Sequence, residues 1–230
     1  MKQYATQGIV LTRTDYGEAD RILTFLTKDH GKIKAIAKGV RKSKAKLAGS
    51  IELFSVSDLT VIVGRGEINT LISARLMRHY GNIVKSIDRT NEGYDFLKIL
   101  NKATEDQPEE AYFNLLDRAL GALDDSEISP ELTKLWFRMQ LLKLAGHAPN
   151  LHSDESGKKL AQSKTYSFDF DKMKFAPKEQ GEFNVNHIKF LRLGFGNNAP
   201  KALQRIEGAL NLINDCQALI DTILKTYVRI

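Results

Sequence analysis

Through the first 80 residues the apolar positions come in short runs that alternate with polar ones or are rich in β-branched residues. These runs are "GIVLTR" (8–13), "RILTFLTK" (21–28), "KIKAIAK" (32–38), "DLTVIVG" (58–64) and "INTLISARL" (68–76). Gly17, Gly31, Gly39, Gly49, Gly64 and Gly66 punctuate them, and no proline occurs before Pro108. Several short strands between regular turn signals predict a small antiparallel barrel or sandwich. "GRGE" (64–67) between two apolar runs reads as a hairpin turn; it lacks the spacing and following helix of a phosphate-binding glycine loop.

After residue 80 the period lengthens to three and four. "DRTNEGYDFLKILNKA" (88–103) and "PEEAYFNLLDRALGAL" (108–123) predict amphipathic helices, the second opened by Pro108 with Glu109 and Glu110 in its first turn. "SPELTKLWFRMQLLKLAG" (129–146) takes Ser129 as N-cap and Pro130 as first helical residue. It gathers Leu132, Leu135, Trp136, Met139 and Leu142 on one face and ends at Gly146. "NVNHIKFLRLG" (184–194) and residues 199–227 supply the last helices, with Cys216 in line with Ile213, Ile220 and Ile223 as a core residue. Residues 147–183 fit neither period and read as an insertion with a short hairpin around "YSFDFDKMKF". The reading is α+β: residues 1–80 a β-barrel domain, residues 81–230 a helical domain interrupted at about 147–183.

Charge sharpens this division. Residues 1–80 carry 14 Lys or Arg against 7 Asp or Glu, whereas residues 81–230 carry 20 against 21. The basicity is local, which points to a polyanion-binding surface on the barrel. It peaks between residues 32 and 46, where seven cations occur and no carboxylate. Period two puts Lys32, Lys34 and Lys38 on one face of the third strand together with Ile36, and Ile33, Ala35 and Ala37 on the other. The chain then runs straight into Arg41, Lys42, Lys44 and Lys46; Arg65 in the hairpin and Arg75 on the last strand extend the surface. A strand face with flanking loops is how an oligonucleotide-binding (OB) barrel grips single strands, and lysines there meet phosphates rather than base edges. Phe25 and Phe54 read as core, and Tyr4 and Tyr16 as candidate stacking platforms. Glu18, Asp20 and Arg21 read as ordering the turn into the second strand.

Other chemistry finds no support. No GxxxxGK[ST], GxSxG or HExxH occurs, so no enzyme class is indicated. The lone Cys216 and scattered histidines, His147 and His152 among them, do not make a metal site, and one cysteine suits a reducing cytoplasm. No apolar run approaches the roughly 20 residues of a membrane span.

Residues 17–55, "GEADRILTFLTKDHGKIKAIAKGVRKSKAKLAGSIELFS", continued by "LTVIVGRGEINTLISARL", closely resemble the N-terminal domain of the RecO family of bacterial DNA repair and recombination mediators. The GEADR turn, the HGKI turn, the KGVRKSK loop, LAGSIELF and GRGE follow in order, and "LLKLAGHAPNL" resembles the family's helix end before its insertion. The resemblance implies an OB-fold barrel followed by an all-helical C-terminal domain, in a non-enzymatic protein of the cytoplasm, associated with the nucleoid. It implies binding of single- and double-stranded DNA, annealing of complementary strands, and help in loading RecA onto DNA coated by single-strand-binding protein. RecR and single-strand-binding protein are the implied partners, with the RecA filament reached indirectly; Arg138 and Lys143 match the helix where that protein's acidic tail binds. Many members hold zinc with two CxxC pairs in the insertion. The matching stretches here, Ser153-Asp154-Glu155-Ser156 ahead of Gly157 and "FAPK" (175–178), carry no cysteine. The zinc site is expected to be lost and no cofactor to be bound, leaving the hairpin held by Phe168, Phe170 and Phe175. An OB-fold RNA-binding factor is the alternative.

Overall fold

The computed structural model describes residues 2–43, 45, 47–104, 109–161 and 164–228. Lys44, Lys46 and Pro108 lie outside the described residues. The chain divides into two compact units, Met1–Asp125 and Ser126–Arg229.

The first unit is built on strands β1 (Gln3–Tyr16), β2 (Asp20–Thr27), β3 (Lys32–Ala37), β4 (Ser55–Ile62) and β5 (Ile68–His79). They close into a barrel in the order β1-β2-β3-β5-β4, the OB arrangement. β1 serves two partners, β4 through its first half and β2 through its second, with a register shift between Val10 and Thr12. Such a shift turns a strand from one neighbour toward the next. The inward residues Val10, Leu23, Phe25, Ile33, Ala35, Leu59 and Leu71 form the core, so the alternation read from the sequence faces the way it predicted. Gly39, two residues past the end of β3, turns the chain in a left-handed conformation at φ 65° that favours glycine.

Helices α1 (Ile87–Ala103) and α2 (Glu110–Asp124) belong to this same unit and pack on the barrel strands. The change of period near residue 80 therefore marks where strands give way to helices, while the compact unit runs on to Asp125. Phe54 pins helix to barrel: its ring lies against Gly93 of α1, where a Cβ would come within 2.7 Å of it. Tyr80 hydroxyl and Arg78 guanidinium both donate to Asp117 of α2, at 2.6 and 2.7 Å.

The second unit comprises α3 (Pro130–Leu144), β6 (Asn150–Asp154), β7 (Tyr166–Asp169), β8 (Lys174–Pro177), α4 (Val185–Phe195), α5 (Pro200–Gln204) and α6 (Ala209–Tyr227). Ser129 caps α3, accepting from Leu132 N at 3.2 Å, and the face Leu132, Leu135, Trp136, Met139 and Leu142 is buried. Cys216 is buried as well, and its surroundings push the thiol pKa up to about 12, burial first and the nearby Asp215 second. The insertion is a three-stranded sheet of order β6-β8-β7. The β7–β8 hairpin falls where the sequence places it, and β6 joins it in parallel.

Candidate nucleic-acid interface

The strand registers lay the outer wall of the barrel out as a grid. Thr14, Ile22, Ile36 and Thr70 form one cross-strand row over β1, β2, β3 and β5; Thr12, Thr24, Lys34 and Ile68 form the next. Lys34 and Lys38 are exposed on the same outward face, Lys38 one residue past the end of β3. The β4–β5 turn approaches this face as well, since Glu67 lies 3.9 Å from the Lys34 ammonium. Arg65 is exposed in that turn.

The start of the loop that leaves β3, from Gly39 to Arg41, is tied to the β1–β2 turn. Asp20 accepts from Gly39 N at 2.7 Å, and Arg41 N donates to Ala19 O at 2.9 Å. Arg41 also reaches the carbonyls of Gly17 and Glu18, both at 3.3 Å, and Asp15 at 3.4 Å. Arg21 donates to the same Asp15 at 2.8 Å; this bond first, and the Arg41 charge after it, hold the Asp15 carboxyl below the usual carboxylate range. Arg21 thus orders the β1–β2 turn as the sequence suggested, whereas Asp20 holds the loop after β3 and Glu18 serves through its carbonyl. Through that turn the start of the basic loop is fixed beside the lysine face.

These contacts sort the nine cations named from the sequence. Lys34 and Lys38 are exposed on one outward face, Lys42 is exposed in the loop after β3 and Arg65 in the β4–β5 turn; among the described residues Lys38, Lys42 and Arg65 have no ion-pair partner and Lys34 has only the distant Glu67. Lys32 is not part of that surface. Its ammonium donates to Asn101 O at 3.0 Å and Thr104 O at 2.6 Å, capping the C-terminal end of α1. A cation there meets the negative end of the helix and carbonyls that have no intrahelical donor. Arg41 is a brace for the loop. Arg75 stands on another stretch of wall, opposite Asp58 of β4, and donates to it at 2.8 Å. Lys44 and Lys46 lie outside the described residues.

The aromatics divide similarly. Phe25 and Phe54 are core. Tyr16 is 55% exposed at the end of β1, open to a ligand. Tyr4 is not an open platform: it is partly buried and stacks on His30 with ring centroids 4.0 Å apart. In the second unit, Arg138 pairs with Asp221 and is mostly buried, and Lys143 donates to Asn197 Oδ1 at 3.0 Å. Arg138 therefore holds α3 to α6 and does not form an exposed basic rim.

A zinc cage does not fit the insertion. At the first expected position Asp154 is a buried carboxylate whose Oδ1 already accepts from Ser156 N at 2.9 Å, Ser156 Oγ at 2.7 Å and Lys158 N at 3.0 Å. At the second, Phe175 is buried between Phe168 and Phe183, and Ala176 and Pro177 have no donor side chain. No thiolate stands at either place.

The sequence match is to two family models: recombination protein O N terminal over residues 1–80, and recombination protein O C terminal over residues 96–230. The chain belongs to the RecO family. It is 34% identical over 151 residues to the DNA repair protein RecO of Rubrobacter xylanophilus, covering 66% of this chain and 60% of that one. It is 36% identical over 144 residues to that of Rhodopirellula baltica, covering 62% and 53%. The matched stretch therefore spans somewhat over half the length of these RecO relatives. Ile22, Asp15 and the capping role of Lys32 were not singled out from the sequence. For Ile22 a signal existed, because its strand partner Ile36 is an apolar residue on a lysine face.

Proposed function

We propose that the chain is a non-catalytic DNA-binding mediator of recombination and repair in the bacterial cytoplasm. It holds single- and double-stranded DNA by the phosphate backbone, anneals complementary strands, and helps load RecA onto DNA coated by single-strand-binding protein. RecR and single-strand-binding protein are its partners, and the inserted sheet folds without zinc. The observation that supports this reading is the exposure of Lys34 and Lys38 on one outward face of an OB barrel, with Lys42 exposed in the loop after β3 and Arg65 in the β4–β5 turn. Like charges so close repel one another unless an anion neutralises them, and a polyphosphate chain does so at several points at once. Bringing two DNA strands together needs the same screening. The test is annealing of complementary oligonucleotides, naked and coated with single-strand-binding protein. The protein should accelerate pairing in both settings, and a Lys38→Glu, Lys42→Glu variant should not. Equal acceleration by that variant would remove this face from the mechanism; acceleration of RNA pairing alone would make the chain an RNA-binding factor.

A further inference from the structure

The lysine face is not uniformly polar. Ile22 and Ile36 are direct cross-strand partners on its outward side, both partly exposed, and Thr70 follows Ile36 in the same row. On β5, Ile68 and Ile72 flank that threonine and are 42% and 49% exposed. These side chains point away from the barrel core, which Leu23, Ala35 and Leu71 fill from the alternate positions. A sheet face that meets only water alternates cleanly to polar residues, and contiguous exposed aliphatics mark a binding surface. Lys34 lies one row to one side of the Ile22–Ile36 pair, and Lys38 continues β3 on the other.

We infer that the isoleucine row is a floor for unpaired nucleobases, a contact that a single strand gains on this face in addition to the phosphate contacts open to single strand and duplex alike. This rests on the DNA-binding reading above and adds the part of the nucleic acid that is recognised. The ligand that complements the surface is anionic along its edges and flat and apolar between them. A single strand with unstacked bases has that form. A duplex keeps its base faces stacked inside and would leave the isoleucines in water. The contact is dispersion and apolar burial against the base faces, without hydrogen bonds to base edges, so it carries no sequence preference. Tyr16, exposed at the end of β1, offers a ring to the same strand.

The test compares the binding of the full chain to an oligothymidine and to an abasic oligomer of equal length and charge, at one salt concentration. The protein should prefer the base-bearing oligomer by about tenfold. An Ile22→Ser, Ile36→Ser variant should lose that preference while still binding the abasic oligomer as well as the parent. Ile36→Thr, which keeps the β-branched shape, guards against loss of the strand and should retain part of the ratio. A Lys38→Gln, Lys42→Gln variant should weaken both oligomers together and leave the ratio intact. Equal affinity of the parent for both oligomers, as when the row seats a protein strand instead, overturns the inference but not the phosphate-binding reading. So does a serine variant with an unchanged ratio. Binding to neither oligomer overturns both.

Discussion

Lys32 and Lys38 stand on the same face of one strand and do different work. Lys32 donates hydrogen bonds to two carbonyls at the end of α1, whereas Lys38 is exposed and has no ion-pair partner among the described residues. Period two is enough to put both side chains outward. It cannot show that a helix end 69 to 72 residues later arrives beneath one of them. The same limit applies to Arg41, whose carbonyl partners lie on the preceding hairpin, and to Arg138, whose carboxylate partner lies far along the chain in α6. Local charge density was legible; which charges are spent inside the fold was not. The difference is measurable. Lys32→Gln should destabilise the protein by about 1–2 kcal/mol in urea unfolding, since it removes charge-assisted bonds to carbonyls at a helix end. It should leave the salt dependence of DNA binding as it is. A stable Lys32→Gln protein with a flattened salt dependence would place Lys32 in the interface instead.

Among the elements, the barrel strands and the long helices were readable because each has a buried face that repeats with its own period. Ser129 with Pro130 announces α3, and the structure has both in those roles. The inserted sheet was harder. Its strands are only four or five residues long, and β6 pairs with β8 in parallel across an irregular register, which no local pattern signals. Within it the Asp154 turn holds β6 to the following loop, with Gly157 at φ 81° completing the bend. Asp154→Ala should expose the insertion to proteolysis between residues 150 and 183, while a chelator added to the parent protein should change neither protection nor folding. A chelator that opened the insertion would contradict the metal-free account. The turn also has a pH signature. The hydrogen bond from the Ser156 hydroxyl, with the N–H groups of Lys158 and Ser156, keeps the Asp154 carboxyl below the usual carboxylate range. The unfolded chain binds a proton there first, near the ordinary aspartate value of about 3.9. The stabilisation is therefore complete above that pH and fades as the pH falls through the lowered native value.

For the whole molecule, the switch from strand to helix near residue 80 was plain, and it coincides with the end of the N-terminal family match. The extent of the first compact unit was not plain. It includes α1 and α2, because Phe54, Lys32 and the Arg78–Asp117–Tyr80 cluster tie those helices to the barrel through contacts distant in sequence. Of the cations in the uneven stretch and the β4–β5 turn, Lys34, Lys38, Lys42 and Arg65 are exposed. The most direct test of the phosphate-binding surface proposed for these residues is the dependence of single-strand affinity on salt. If Lys34, Lys38, Lys42 and Arg65 each neutralise one phosphate, log affinity should fall with log salt at a slope of about −3 or steeper. Replacing Lys38 and Lys42 by glutamine should flatten that slope by about 1.4, with no change in folding. A double variant with the parent slope and the parent affinity would contradict the account.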